Sequence, residues 1–231
     1  MFSNVYLAAT MRELEEFLPK KAAFLSCHFS AAGQGLSNLP SDLPKKSLLL
    51  VDDSMPVCGH DPGVVVKQLQ DLVEKFDLNA ILLDFQGEKD TQLLHMAKAI
   101  LQGVPCPVAV TEQYAKELGC PVFLSSSPVD TALHRHLSRW LEQGVFLEIA
   151  PGGMQIEVTQ AGCKKVPISF GNTQFLSLFH EELCCHYHVE VFNDKAVFTL
   201  GRTNEDLAQL ADKALALGAL GVVGLYQELS K

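Results

Sequence analysis

The chain is short of positive charge. Lys and Arg together number 18 against 27 Asp and Glu, a net charge of −9. Its basic pairs, Lys20-Lys21, Lys45-Lys46 and Lys164-Lys165, lie far apart in the sequence. A protein that displaces counterions from phosphates carries a basic stripe, so no nucleic-acid partner is expected. Long hydrophobic runs are lacking as well. The longest, Ala214 to Tyr226, contains Gly218, Gly221 and Gly224 and is too short to span a bilayer. At the N-terminus no basic segment leads into an apolar core, which argues against a secretory leader. The seven cysteines are odd in number and irregularly spaced, as reduced thiols are and a disulfide framework is not. The expectation is a cytoplasmic protein with no membrane partner.

Several catalytic signatures are also missing. No glycine-rich phosphate loop follows the first apolar run, so no dinucleotide is implied. Ser125-Ser126-Ser127-Pro128 lacks the glycines of a hydrolase nucleophile elbow. No lysine directly follows a core run, where a Schiff-base enzyme needs one. Cys27 and His28 are sequence neighbours and point to opposite faces of a strand, a poor nucleophile–base pair. His134 and His136 are two apart on a helix and do not face each other. No cofactor is expected.

What is present is a rhythm. Short apolar runs occur at Val5–Ala9, Ala23–Cys27, Ser47–Asp52, Ala80–Phe85, Pro107–Val110, Val122–Ser125 and Val145–Ile149, with a last one at Gly221–Leu225. They are continuous and show little alternation, which marks strands buried on both faces of a parallel sheet. Amphipathic helices separate them. Asp61-Pro62 supplies an N-cap and a first-turn proline for Val65, Leu69, Leu72, Val73 and Phe76. Asp90 can cap a helix that buries Leu93, Leu94, Ala97, Ile100 and Leu101. Asp130 can begin another, with Leu133, Leu137, Trp140 and Leu141 inward. Thr203 and Asp206 form a capping-box pattern before Leu207, Leu210, Ala211, Ala214 and Leu217, and Gly218 is placed as the stop.

The rhythm breaks twice. Residues 33–46 are rich in Gly, Ser and Pro and read as a loop with little helix. Between Ile149 and Arg202 apolar residues alternate with polar ones. Residues 155–159 and 166–168 read as a hairpin around Gly162, and 186–191 and 196–200 as another turning at Asn193-Asp194. Whether 196–200 joins the main sheet is left open. The expected architecture is α/β, a single (β/α)8 barrel domain over residues 1–231, of TIM-barrel type, with a β-hairpin insertion near residues 150–200.

In such a barrel the site forms at the carboxyl ends of the strands. That places Asp52 and Asp53 after the third strand, Asp84 and Gln86 after the fourth and Glu112 after the fifth. Ser125 and Ser126 follow the sixth, Glu148 ends the seventh, and Tyr226, Gln227 and Glu228 follow the last. The ligand-binding candidates are Asp52, Asp53, Asp84, Gln86, Glu112, Glu148, Tyr226 and Glu228.

Residues 79–86, Asn-Ala-Ile-Leu-Leu-Asp-Phe-Gln, resemble the fourth-strand motif of family 18 glycoside hydrolases, Asp-x-x-Asp-x-Asp-x-Glu. Asp84 matches the third acidic position, and Phe85 stands where an aromatic is common. Gln86 occupies the place of the acid, Leu82 that of the middle Asp and Asn79 that of the first. The resemblance implies a chitinase-like barrel that takes a carbohydrate at its mouth. In that family the final Glu protonates the leaving oxygen, and the Asp holds the acetamido group that serves as internal nucleophile. An amide has no proton to transfer at neutral pH, so the family's reaction is expected to fail here while hydrogen bonding to a sugar survives.

Two metal-like sets stand beside this reading. Cys184, His186 and His188 alternate and would share a strand face. His28, Asp52, Asp53, Cys58 and His60 gather near two strand ends, and a metal-dependent hydrolase or lyase using Asp52, Asp53 and His60 is the alternative function. Neither set has a matching pair at standard spacing, and no metal is assigned. A third reading is a non-catalytic interaction protein, homo-oligomeric through the segments 155–168 and 186–200.

Overall fold

The computed structural model describes residues 2–17, 19–168 and 178–230. Eight parallel strands close on themselves. In chain order they are β1 (Tyr6–Ala9), β2 (Ala22–Phe29), β4 (Leu48–Asp52), β5 (Ala80–Asp84), β6 (Val108–Thr111), β7 (Val122–Leu124), β8 (Val145–Ile149) and β14 (Gly221–Leu225). β1 pairs with both β2 and β14, and that double pairing closes the barrel. The fold is a (β/α)8 barrel. A two-residue strand, β3 (Leu36–Ser37), hangs antiparallel on β2 within the glycine-rich loop, where no helix forms.

Alternation along each strand sorts side chains into two cores. Tyr6, Ala8, Leu48, Leu50, Leu82, Phe123 and Phe146 fill the barrel interior. Their neighbours, such as Leu49, Val51, Ile81 and Leu83, meet the surrounding helices. α2 (Pro62–Phe76) starts at Asp61, whose carboxylate accepts from the Gly63 N–H at 2.8 Å. α3 (Thr91–Gly103) starts at Asp90, which accepts from the Gln92 N–H at 2.6 Å. α6 (Asn204–Ala216) has the full capping box from Thr203 and Asp206, and Gly218 takes the left-handed φ of +102° that ends it. Leu217, expected on its buried face, is exposed.

One helix differs from expectation. Asp130 does not cap α5 (Leu133–Leu137), which begins at Ala132 with no side-chain cap. Its carboxylate instead pairs with Lys165 of the insertion at 2.5 Å. The helix is accordingly short, although Leu133, Leu137 and Trp140 are buried as anticipated.

Both expected hairpins form. β9 (Gly153–Thr159) pairs with β10 (Gly162–Ile168), and β12 (Cys185–Val191) with β13 (Lys195–Gly201). They merge into one five-stranded antiparallel sheet, because β9 also pairs with β13 and β11 (Leu178–His180) adds to β12. Residues 196–200 therefore lie outside the barrel. Gly153 is directly opposite Gly201, so the excursion leaves and re-enters the barrel at one point above β8. Residues 169–177 of this insertion fall outside the described residues.

A buried arginine locks that entry point. Arg202, 2% exposed, donates to the Ser127 and Pro128 carbonyls, the Ser127 hydroxyl and the Leu183 carbonyl. Asp206, fully buried, accepts from the Thr203 N–H and lies 2.9 Å from His186 Nδ1. Among the described residues no helix is long and apolar enough to cross a membrane.

Candidate active site at the barrel mouth

Three carboxylates reach the mouth by strand parity. Asp52 follows the inward Leu48 and Leu50 on β4, Asp84 follows the inward Ala80 and Leu82 on β5, and Glu148 follows the inward Phe146 on β8. Asp52 is in register with Asp84 on one side and with His28 on the other. Leu82, standing where the motif has its middle Asp, is fully buried in the apolar plug. Asp84 thus rests on a hydrocarbon floor. Asn79 is remote from the mouth, at the opposite end of the strand, where its amide donates to the Tyr6 hydroxyl at 2.9 Å.

The turn after β5 is clamped from three directions. Asp53 accepts the backbone N–H of Gln86 at 3.0 Å with one oxygen and that of Gly87 at 2.9 Å with the other. Thr111 donates its hydroxyl to the Phe85 carbonyl at 2.9 Å. Gln113 donates its amide to the Phe85 and Gly87 carbonyls. Gly87 fits because a side chain there would run into Asp53; a Cβ would stand 2.9 Å from its oxygen. On this support Gln86 donates Nε2–H to Asp84 Oδ1 at 2.5 Å.

Burial and charge act together on the acids. Desolvation pushes the Asp84 carboxyl above its ordinary range; the Gln86 hydrogen bond opposes this, and the charges of Asp53 and Asp52 add to it. Desolvation likewise raises Glu148. Asp84 raises it further, a hydrogen bond from the Ser126 backbone opposes, and Glu228 adds to the rise. Glu228 comes from α7 (Tyr226–Leu229) and has one carboxylate oxygen buried without a hydrogen-bond partner. Asp84, Glu148 and Glu228 form no salt bridge among the described residues.

Other expected site residues are elsewhere. Asp53 braces the turn with both of its oxygens. Glu112 opens α4 (Glu112–Leu118) and pairs with Arg139 at 2.5 Å on the exposed surface. Tyr226 is turned to the outer flank of β1 and stacks on Phe17 with ring centroids 5.3 Å apart. There it lines a cavity of about 770 Å³ with Phe2, Val5 and Leu7, on the outward side of the strand.

The metal-like sets do not assemble. Both His60 ring nitrogens lie near carbonyl oxygens, that of Val57 at 2.9 Å and that of Ser30 at 3.0 Å, and the nitrogen that carries the proton donates to its carbonyl. Cys184 lies in the turn before β12 with φ of +48° and does not share the face of His186 and His188. Among the described residues no group of three His, Cys, Asp or Glu stands close enough to hold a metal ion. Gln113 and Thr111 were not legible as site residues; their proximity to residues 85–87 comes only from the pairing of β5 with β6.

No protein-family model and no curated protein matches the sequence. Solved structures do match. A family 18 N-acetylglucosaminidase from Paenibacillus barengoltzii is 10% identical over 98% of this chain and 97% of its own, with a TM-score of 0.55. A chitinase from Chromobacterium violaceum is 11% identical over 96% and 93%, with a TM-score of 0.54. The fold is that of the family 18 glycoside hydrolases. A Cycas revoluta chitinase of this family, in complex with (GlcNAc)3, is 10% identical over 96% and 94% of the two chains, with a TM-score of 0.53. At such low identity the likeness is one of backbone, and site chemistry has to be read from this chain's own residues.

Proposed function

We propose that the barrel mouth binds a carbohydrate, with Asp84 and Gln86 as the central contacts. The observation that carries this reading is the Gln86–Asp84 hydrogen-bonded pair, held on a clamped turn at the end of the fourth strand. A carboxylate accepts hydrogen bonds from sugar hydroxyl or amide groups, and a glutamine side chain can both donate and accept. Support comes from a rigid backbone beneath both groups, since a precise site needs side chains locked by a second layer of bonds. The Cycas chitinase in complex with (GlcNAc)3 suggests an N-acetylglucosamine oligomer as the first ligand to try.

The reaction of the resembled family is not available through Gln86. Protonating a leaving oxygen needs a carboxylic acid at that point, and an amide cannot supply the proton. The test is calorimetric titration of the protein with chitotetraose. Binding is expected, with affinity lowered at least tenfold in Asp84→Ala. Absence of binding, or equal binding by the variant, contradicts the reading.

One observation favours a second reading, that of an interaction protein. Val191 and Phe192 at the tip of the second hairpin are 79% and 50% exposed. Sedimentation of Val191→Asp beside the parent protein checks it: a shift from oligomer to monomer supports association through this tip, and a monomeric parent rules it out.

A further inference from the structure

We propose that the outer flank of the first barrel strand binds an amphipathic anion, an acyl chain ending in a carboxylate, with Lys20 receiving the charged head. This site is separate from the mouth. Tyr6 and Ala8 point into the barrel, whereas Val5 and Leu7 point outward into the cavity of about 770 Å³. The cavity arises from a shortage of helix. Elsewhere the wall carries helices such as α2 and α3, of 15 and 13 residues. The elements that follow β1 and β14 are α1 (Met11–Glu16), of 6 residues, and the single turn α7, of 4. Apolar surface that a longer helix would bury is left open beside Phe17 and Tyr226, and Phe17 is 48% exposed.

The lining selects by charge as well as by hydrophobicity. The chain carries 27 acidic residues against 18 basic ones, yet the described residues around this cavity include Lys20 and Lys21 and no Asp or Glu. Lys21 holds its ammonium 5.3 Å from the centre of the Tyr6 ring. Lys20 is exposed and forms no salt bridge among the described residues.

Strand register sets the two ends of the groove. Leu7 is level with Ala22, so Lys20 enters beside Val5; Ala8 is level with Leu225, so Tyr226 enters beside Ala9. The positive charge therefore stands at one end and the tyrosine at the other, with Leu7 between them. A hydrocarbon chain gains by leaving water along that floor, and a carboxylate at its end meets the ammonium. The volume suits one such molecule, since small-ligand pockets run to roughly 300–1,000 Å³.

Calorimetric titration of the intact chain with dodecanoate, below its micelle-forming concentration, tests this. Saturation at a single equivalent is expected. Hexanoate keeps the head and loses half of the tail, so it should bind at least about tenfold more weakly. Dodecyltrimethylammonium keeps the tail and reverses the charge, and should also bind at least about tenfold more weakly. Lys20→Glu should weaken dodecanoate by about tenfold while melting with wild type, because the position is exposed. Phe17→Asp, which sets a charge in the apolar wall, should weaken it by about tenfold or more. Absence of dodecanoate binding, equal affinity for the cationic amphiphile, or undiminished binding by Lys20→Glu overturns the proposal. Uptake of many equivalents without saturation shows surfactant adsorption only and overturns it as well. So does a dimer in sedimentation that Phe17→Asp abolishes and dodecanoate does not disperse, which would assign the groove to a second copy of this chain.

Discussion

Two regions of this molecule bury charge, and they treat it in opposite ways. At the root of the inserted sheet, Arg202 donates to three carbonyls and a hydroxyl, and Asp206 meets both a backbone N–H and His186. At the barrel mouth, the charges of Asp84 and Glu228 both raise the Glu148 carboxyl, and none of the three acids forms a salt bridge among the described residues. The first arrangement offsets most of the cost of burying charge with specific partners, although Arg202 Nε and one Asp206 oxygen have no hydrogen-bond partner among the described residues. The second opposes that cost only with neutral donors, the Gln86 amide on Asp84 and the Ser126 backbone on Glu148. Perturbed carboxyl groups cluster at functional sites more often than elsewhere, which is the support they lend to the proposed ligand site. The difference separates a joint from a site.

The comparison breaks most easily at the joint. Arg202→Met removes the arginine's four side-chain bonds at the sheet's re-entry point, three of them to the loop after β7, and strands several buried carbonyls. Each stranded group costs roughly 1–3 kcal/mol, so a loss on the order of 3–5 kcal/mol is expected. Urea unfolding measures it, and a loss below about 1 kcal/mol would mean that the arginine is not the lock proposed.

A smaller effect is expected from the support beneath the mouth. Asp53→Ala frees the Gln86 and Gly87 N–H groups, and both lie in an exposed turn where water can replace the carboxylate. Stability should fall by about 1–2 kcal/mol. Chitotetraose affinity should fall as well, because the Asp84–Gln86 pair loses its fixed base. Weakened binding with little unfolding would sharpen the distinction between joint and site; unchanged binding would remove Asp53 from the site's support.

Much of the barrel was legible because each strand announces itself locally. Continuous runs such as Leu48–Val51 and Ala80–Leu83 are buried on both faces, and Asp61, Asp90 and Thr203 begin their helices where capping chemistry says they should. The positions of Asp84 and Gln86 follow from where their strand ends. What could not be read depended on partners distant in sequence. Asp130 looked like a cap, yet Lys165 claims it across 35 residues. Asp53 looked like a ligand group, and the structure shows it bracing the turn at 86–87 as well. Tyr226 leaves the last strand at the right end but is drawn to the outer flank by Phe17. Glu112 and Glu148 were indistinguishable as strand-end acids; Arg139 pairs with the first, while the inward parity of β8 turns the second to the mouth.

The smallest expected effect bears most directly on the contrast. A carboxyl whose proton affinity is raised on folding stabilises the folded state while it is protonated. That contribution is present below its unfolded value and is lost as pH rises through the folded one. Once ionised, Glu148 is therefore a liability beside the charges of Asp84 and Glu228. The measurement is the Tm of wild type and Glu148→Gln from pH 4 to pH 8. The variant should melt higher than wild type near neutrality, with the gap closing as pH falls and the native glutamate takes up its proton. A variant that melts lower at neutral pH, or a gap that does not change with pH, would mean that Glu148 is a compensated structural charge and that the mouth is no different from the joint.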